Sequence, residues 1–359
     1  HKIMHSKKLA VLFGGCSTEY AVSLQSAMAV LHHLDPERFR VIPIGITRQG
    51  DWYQYTGDYE KISQNTWFQD PAELVPVVVS QNRSHPGFLT FPQGRPVLLP
   101  VDLVFPVLHG KNGEDGTLQG MFALAGIPVV GCNTLSSALC MDKDRAHKLV
   151  SLEGIPVPHS IMLHHPMSET TLFEITSPLA YPLFVKPVRS GSSFGITKVL
   201  EPCRLLAAVQ LAFTYDTEVL VEEAVCGFEV GCAILGNESP LVGRVDEIEL
   251  SDGFFDYTEK YTLKTSKIHM PARIDAETEC RIQQTALKIY RTLGCSGFAR
   301  VDLFLTPDGT LFFNEVNTIP GLPSHSRYPH MLEGTGLSFS AMLERLLHLY
   351  EEGHHENHA

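Results

Sequence analysis

The chain has 359 residues, 44% hydrophobic and 19% charged, which is more than one hydrophobic core organises, so two or three domains are expected. A net charge of −12 without any basic run argues against a nucleic-acid surface, and no apolar run approaches the roughly 18 residues that span a bilayer. The eight cysteines, at 16, 132, 140, 203, 226, 232, 280 and 295, form neither a C-x-x-C pair nor a zinc spacing and read as small core residues of a cytoplasmic protein.

The opening H-K-I-M-H-S-K-K has no apolar signal region, and both it and the His-rich tail at 353–359 are set aside. Lys8 to Phe13 reads as a buried strand running into Gly14-Gly15-Cys16-Ser17-Thr18-Glu19, with an apolar helical pattern over Tyr20 to Leu31 behind it. This unit resembles the start of a dinucleotide fold, but G-x-G-x-x-G is absent. Strands at Val41 to Ile46 and Leu103 to Leu108 continue an α/β alternation, while the stretch between them, with Trp52, Trp67 and residues 83–97, reads as irregular. Beyond Leu108 comes H-G-K-N-G-E-D-G-T at 109–117, a Gly-rich loop at a strand's carboxyl end, where ligands gather in open α/β sheets. Ile127 to Val130 supplies another strand, and Met141-Asp142-Lys143 opens a charged helix.

Residues 132–222 read as a small α+β unit. Its centre is Tyr181 to Pro187, a strand ending with Lys186, followed by R-S-G-S-S-F-G at 189–195 and a strand into Val199. Small residues between two strands can wrap a triphosphate in backbone N–H groups, with Lys186 as a point charge; a plain hairpin turn is the other reading. Neither the Walker pattern nor the kinase H-R-D occurs. Glu218 to Glu223 forms the next strand, and Phe228 to Leu235 and Leu241 to Leu250 extend a sheet. Ser251 to Tyr261 mixes aromatics and charges without periodicity, as lids often do. Ile282, Ala286, Ile289 and Leu293 restore helical spacing, and a last amphipathic helix runs from Ser338 to Tyr350.

Two β-prone runs, Val301 to Leu305 and Leu311 to Phe313, flank Pro307-Asp308-Gly309 and signal a hairpin. With Asp308-Gly309 as a two-residue turn, Asp302 lies opposite Glu315 and Arg300 opposite Asn317, all on one face. A type I turn with Gly309 as a bulge shifts this pairing by one. Two carboxylates and an amide on one face suit Mg²⁺, and the Arg300 guanidinium beside them suits developing negative charge. In the segment that follows, Gly321 can offer a backbone N–H to an anion and Arg327 a fork to a carboxylate.

S-x-E-x-x-V-S at Ser17 to Ser23, H-G-K-N-G-E-D-G-T, M-D-K, Lys186 with G-S-S-F-G, E-K-Y at 259–261 and N-E-V-N-T-I-P-G, in this order, resemble the D-alanine:D-alanine ligase family over about residues 8 to 350. The resemblance implies an ATP-grasp fold, α/β with α+β parts: a Rossmann-like domain at 1–131, a central subdomain at 132–222 and a C-terminal subdomain with hairpin and lid at 223–352. It implies that Lys143, Lys186, Ser193, Glu222, Glu223, Val225, Glu229 and Lys260 surround ATP, and that Asp302, Glu315 and Asn317 hold two Mg²⁺, or Mn²⁺. Glu19, with Ser192 and Tyr261, would take the ammonium of the first D-alanine, His109 would lie near it, and Arg300 and the Gly321 N–H would face the tetrahedral oxyanion. A homodimer is implied as well.

Phe255 stands where many members have Tyr, and Arg327 after Ser326 where an aliphatic residue is usual. Both resemble the D-alanine:D-serine branch of vancomycin resistance, VanG type, in which Asp246 and Arg327 would hydrogen-bond a serine hydroxyl directly or through water. The implied product is a D-alanyl-D-serine precursor of peptidoglycan. The rival readings are a housekeeping D-alanine:D-alanine ligase, a nucleotide-binding regulator without catalysis, and a dehydrogenase resting on the first strand, turn and helix.

Overall fold

The computed structural model describes residues 6–189, 194–250, 266–323 and 325–351. The expected phosphate-loop serines Ser192 and Ser193, and Phe255, Lys260 and Tyr261 of the expected lid, lie outside them.

The first unit contains β1 (Lys7–Gly14), α1 (Tyr20–His33), β2 (Phe39–Ile46), β3 (Trp52–Tyr55), α2 (Glu60–Ser63), β4 (Leu74–Pro76), β5 (Val78–Ser80), β6 (Gly87–Thr90), β7 (Val97–Pro100), β8 (Leu103–Pro106) and α3 (Thr117–Ala125). Its sheet has the order β4-β3-β2-β1-β8, with β1 parallel to both β2 and β8. Leu9 to Phe13 are fully buried, as expected of a strand covered on both faces. The stretch expected to be irregular instead forms β3 and β4 on the sheet edge and a separate three-stranded sheet, β5-β6-β7. Strands of three or four residues, interrupted by Pro76, Pro86 and Pro100, are too short to show a period in sequence. The strand expected at 127–130 is a single bridge, Val104 to Val129.

Next come α4 (Thr134–Met141), α5 (Lys143–Leu152), β9 (Ser160–Leu163), α6 (Glu169–Thr176), β10 (Leu183–Pro187), β11 (Thr197–Val199), α7 (Leu205–Phe213) and β12 (Val219–Glu223). The sheet β11-β10-β12-β9 is antiparallel. Asp142 starts α5 by accepting the Arg145 N–H, which fixes Lys143 as the first helical residue. Although α5 precedes the small sheet in the chain, its Ala146 and Val150 pack into the core of the next one.

The third unit holds β13 (Phe228–Leu235), β14 (Leu241–Leu250), β15 (Ser266–His269), α8 (Ala276–Thr292), β16 (Phe298–Leu305), β17 (Leu311–Asn317), α9 (Arg327–Glu333) and α10 (Phe339–His348). Its antiparallel sheet runs β15-β14-β13-β16-β17. One face is covered by α5 and by Ile282, Ala286 and Ile289 of α8. The other carries the charged residues described below and, further along, Ala233, Leu235 and Phe298, which pack with Tyr328, Met331 and Leu332 of α9. Met342, Leu343, Leu346 and Leu347 of α10 share a core with Leu24 and Leu31 of α1, so the chain's end closes back on its first unit. Among the described residues no helix is long and apolar enough to cross a membrane.

Candidate active site

The hairpin of β16 and β17 contains both of the expected registers but only one of the turns. Near the turn, Leu305 pairs with Leu311 and Leu303 with Phe313, the shifted register, and Gly309 takes φ +85° as its bulge residue. A second irregularity at Asn314 resets the count, so Asp302 faces Glu315 and Arg300 faces Asn317. The pairing at the charged end thus matches a tight turn while the turn itself does not. Two bulges cancel.

Across the sheet the register places Asp246, Gly231, Asp302 and Glu315 in one row. Arg300 forks onto Asp302, with Nε to Oδ1 and Nη2 to Oδ2 both 2.8 Å, and Asn317 Nδ2 donates to Asp302 Oδ2 at 3.1 Å. Arg327, first residue of α9, forks onto Asp246 at 2.8 Å through Nε and Nη2, and its Nη1 donates to Glu229 Oε2 at 2.9 Å. Burial opposes the Arg327 charge, but Asp246, Asp302 and Glu229 outweigh it. Gly231 lies beneath this guanidinium, and a Cβ there would run into Arg327 Nη2 and Asp246 Oδ1. An isolated glycine inside a strand is the sequence signal for such an approach.

Four carboxylates, those of Asp246, Glu229, Asp302 and Glu315, meet three cations, Arg300, Arg327 and Lys143, whose Nζ is 4.0 Å from Glu315. The excess of negative charge and the hard oxygen donors fit Mg²⁺, which typically takes one or two carboxylates and fills its shell with phosphate and water. Among the described residues no group of three His, Cys, Asp or Glu is gathered around one point, so Asp302, Glu315 and the Asn317 carbonyl would hold the ion only together with outside oxygens.

Glu229 is pushed up to about 7 from 4.5 by burial and then by the Asp302 charge, against Arg327 and Arg300. Between those values the folded protein binds more protons than the unfolded chain, so metal-free stability falls as pH rises from 4.5 towards 7, by up to about 3 kcal/mol. In urea unfolding, Glu229→Gln is expected to remove this slope, its advantage over the parent growing through that window. Parallel pH curves for the two proteins contradict it.

On the facing small sheet, Lys186 Nζ donates to Glu222 Oε1 at 2.7 Å, and both residues are buried. The next residue points the other way: Glu223 Oε1 accepts the Ala180 N–H, and Glu223 and Val225 line a cavity of about 510 Å³ with His159, Asp308 and Phe312. His147, one turn after Lys143, lies between β17 and β12, its Nε2 2.6 Å from the Asn314 carbonyl and its Nδ1 3.7 Å from Glu222 Oε2. Asn314 in turn donates through Nδ2 to Glu229 Oε1 at 3.2 Å. Sequence reasoning missed His147, Asn314 and Gly231.

Glu19 is buried at the N-terminus of α1, its N–H donating to Ser17 Oγ, which donates to the His109 carbonyl. His109 Nδ1 donates to the Ile319 carbonyl at 3.0 Å, Nε2 is 2.9 Å from Ser26 Oγ, and Ser26 Oγ accepts the Leu322 N–H. Burial lowers the His109 pKa, but Glu114 and Glu19 more than reverse this. These bonds seat the 318–322 segment, with Gly321, against the first unit. Ser326, half-buried, immediately precedes α9. The structure therefore brings Glu19, His109 and Gly321 to one junction, and Arg300, Asp302, Glu315, Asn317, Glu229, Asp246 and Arg327 to one sheet face.

Family profiles described as D-ala D-ala ligase N-terminus and D-ala D-ala ligase C-terminus match residues 8–132 and 149–348. The solved VanG D-Ala:D-Ser ligase from Enterococcus faecalis is 67% identical, with a TM-score of 0.89 over 96% of this chain and 100% of that one. The vancomycin C-type resistance protein VanC1 of Enterococcus gallinarum is 42% identical over 96% of this chain and 99% of its own length. A D-alanine--D-alanine ligase of Caldicellulosiruptor bescii is also 42% identical, over 96% and 95%.

Proposed function

The chain belongs to the D-alanine–D-alanine ligase family, ATP-dependent ligases of the ATP-grasp fold that form a peptide bond, and from that premise we propose that it joins D-alanine to D-serine. The 67% identity to the VanG D-Ala:D-Ser ligase supports this. So does the Arg327 fork. Of its five N–H donors, three are engaged by Asp246 and Glu229. The remaining donors can meet a serine hydroxyl, which can in turn donate to a carboxylate beside them. D-Alanine leaves those groups without a partner, the situation in which a polar site discriminates most strongly.

In this reading Glu19 takes the ammonium of the first D-alanine at the junction organised by His109. Its carboxylate attacks the γ-phosphorus of ATP, ADP leaves, and an acyl phosphate results. Lys143 and Lys186 orient the phosphates, and Mg²⁺ held by Asp302, Glu315 and Asn317 would supply charge neutralisation there. The D-serine amine then attacks the acyl carbon, phosphate departs, and Arg300 with the Gly321 N–H meets the charge that develops on the carbonyl oxygen. Ser192, Ser193, Lys260, Tyr261 and Phe255 belong to the same reading, as do a cytoplasmic setting and a homodimer. Exposed Leu124 and Leu135, on neighbouring α3 and α4, suit self-association.

Acceptor specificity tests the proposal. With D-alanine as first substrate, kcat/KM measured by ADP release is expected to be at least about tenfold higher for D-serine than for D-2-aminobutyrate, which replaces the hydroxyl by a methyl. Equal use of the two would mean that the pocket reads size, not a hydroxyl.

A further inference from the structure

Between α5 and β12 two buried polar atoms, His147 Nδ1 and Glu222 Oε2, face each other 3.7 Å apart, with no hydrogen-bond partner among the described residues. The residues are 4% and 2% exposed. Because the Asn314 carbonyl can only accept, the neutral His147 ring carries its proton on Nε2 and presents a lone pair at Nδ1. Two acceptors therefore confront one another in a buried site, an arrangement that native structures rarely leave without a use.

The surroundings show what the pair waits for. Glu222 is balanced through its other oxygen by Lys186 of β10. On the same helix as His147 is Lys143, close to Glu315 of β17, and β17 also supplies the Phe313 ring, 5.1 Å from the imidazole. Burial holds the imidazole below its ordinary value; Glu222 and the Asn314 carbonyl pull it up, and Lys186 and Lys143 push it down. Moving the Lys186 ammonium away removes one of the opposing charges and leaves Glu222 a buried carboxylate with no counter-ion, a strongly unfavourable state.

We propose that His147 is a positioning residue that takes a proton on Nδ1 when nucleotide binds and replaces Lys186 as the partner of Glu222. The inference rests on the reading in which Lys186 turns to the ATP phosphates. The proton comes from solvent and forms an Nδ1–H bond directed at Glu222 Oε2, while Lys186 keeps its own charge and the Nε2–H remains on Asn314. The imidazolium then bonds β12 and β17 at once, tying together the two sheets that face the nucleotide. Glu222 stays compensated in both states.

Nucleotide affinity is therefore linked to protons. A pKa raised on binding makes affinity highest below the free-state pKa and lowers it as pH rises through the bound-state pKa, about tenfold for each unit of rise. The test is calorimetric titration of the full chain with Mg·ADP at pH values from about 6 to 8, in buffers of different ionisation enthalpy. The wild type is expected to take up a fraction of a proton more than His147→Gln. Glu222→Gln, whose neutral amide needs no counter-ion, is expected to lose the same fraction and so decides the matter if the first variant does not fold. Protonation of the nucleotide itself is common to all three proteins and cancels. Equal uptake by wild type and variants overturns the inference while leaving the ATP reading intact. Failure of the wild type to bind Mg·ADP overturns both.

Discussion

Arg327→Leu is expected to destabilise the protein by about 3–5 kcal/mol in urea unfolding, because it strands a buried charge. Asp246 is fully buried, and both of its oxygens are bonded to the Arg327 fork, which also serves Glu229. Leucine fills part of the volume but answers neither carboxylate. The double variant Arg327→Leu/Asp246→Asn should recover at least half of the loss, since the uncompensated charge disappears with the aspartate; a cycle with no recovery would show that packing, not charge, dominates. The single variant is also expected to lower the preference for D-serine over D-alanine by about 10- to 100-fold. An unchanged preference would remove Arg327 from the acceptor pocket.

Arg300→Met is expected to lower kcat by about 10²- to 10³-fold, the usual cost of losing a donor placed where transition-state charge develops. A second effect separates this role from simple damage. Arg300 is the bidentate partner of Asp302, which is fully buried, so its loss leaves the desolvation cost of that carboxylate to be met in part by Asn317 at 3.1 Å and Arg327 at 3.6 Å. Mg²⁺ binding at Asp302 would replace the missing positive charge. The variant should therefore gain more in melting temperature from added Mg²⁺ than the wild type does, by linkage to the folded state. Equal gains would argue against a metal at Asp302.

Long periodic elements were legible in the sequence because burial leaves a repeat. The strands at Phe228–Leu235 and Leu241–Leu250 have the ends expected of them, and Ile282, Ala286 and Ile289 mark the buried face of α8. Between residues 52 and 100, strands of three or four residues leave too few positions to show alternation. The pairing of Asp302 with Glu315 was reached through a turn the protein does not use, since the bulge at Asn314 undoes the shift introduced at Gly309. The doublets in L-F-F-N-E-V-N carried a signal for that bulge, as two apolar residues followed by two polar ones break the period of a strand.

Partnerships between distant elements left no such trace. The sequence reading makes Arg327 a fork to a carboxylate and places it in one pocket with Asp246, but the fork onto Asp246 itself and the bond to Glu229 depend on the docking of α9 over Gly231, which no local pattern encodes. The same holds for His147, which sits in a charged helix and reads as one more surface residue until β12 and β17 close around it. Chemistry-bearing residues were recognisable by type and spacing. Their mutual charge balance required the fold.

The most direct test of D-alanine:D-serine ligation is a competition in which the enzyme, ATP and Mg²⁺ are given D-alanine and D-serine at equal concentrations and the dipeptides are separated and identified by mass. Predominance of D-alanyl-D-serine is the expected result. Predominance of D-alanyl-D-alanine would contradict it and return the Arg327, Asp246 and Glu229 cluster to a purely structural role.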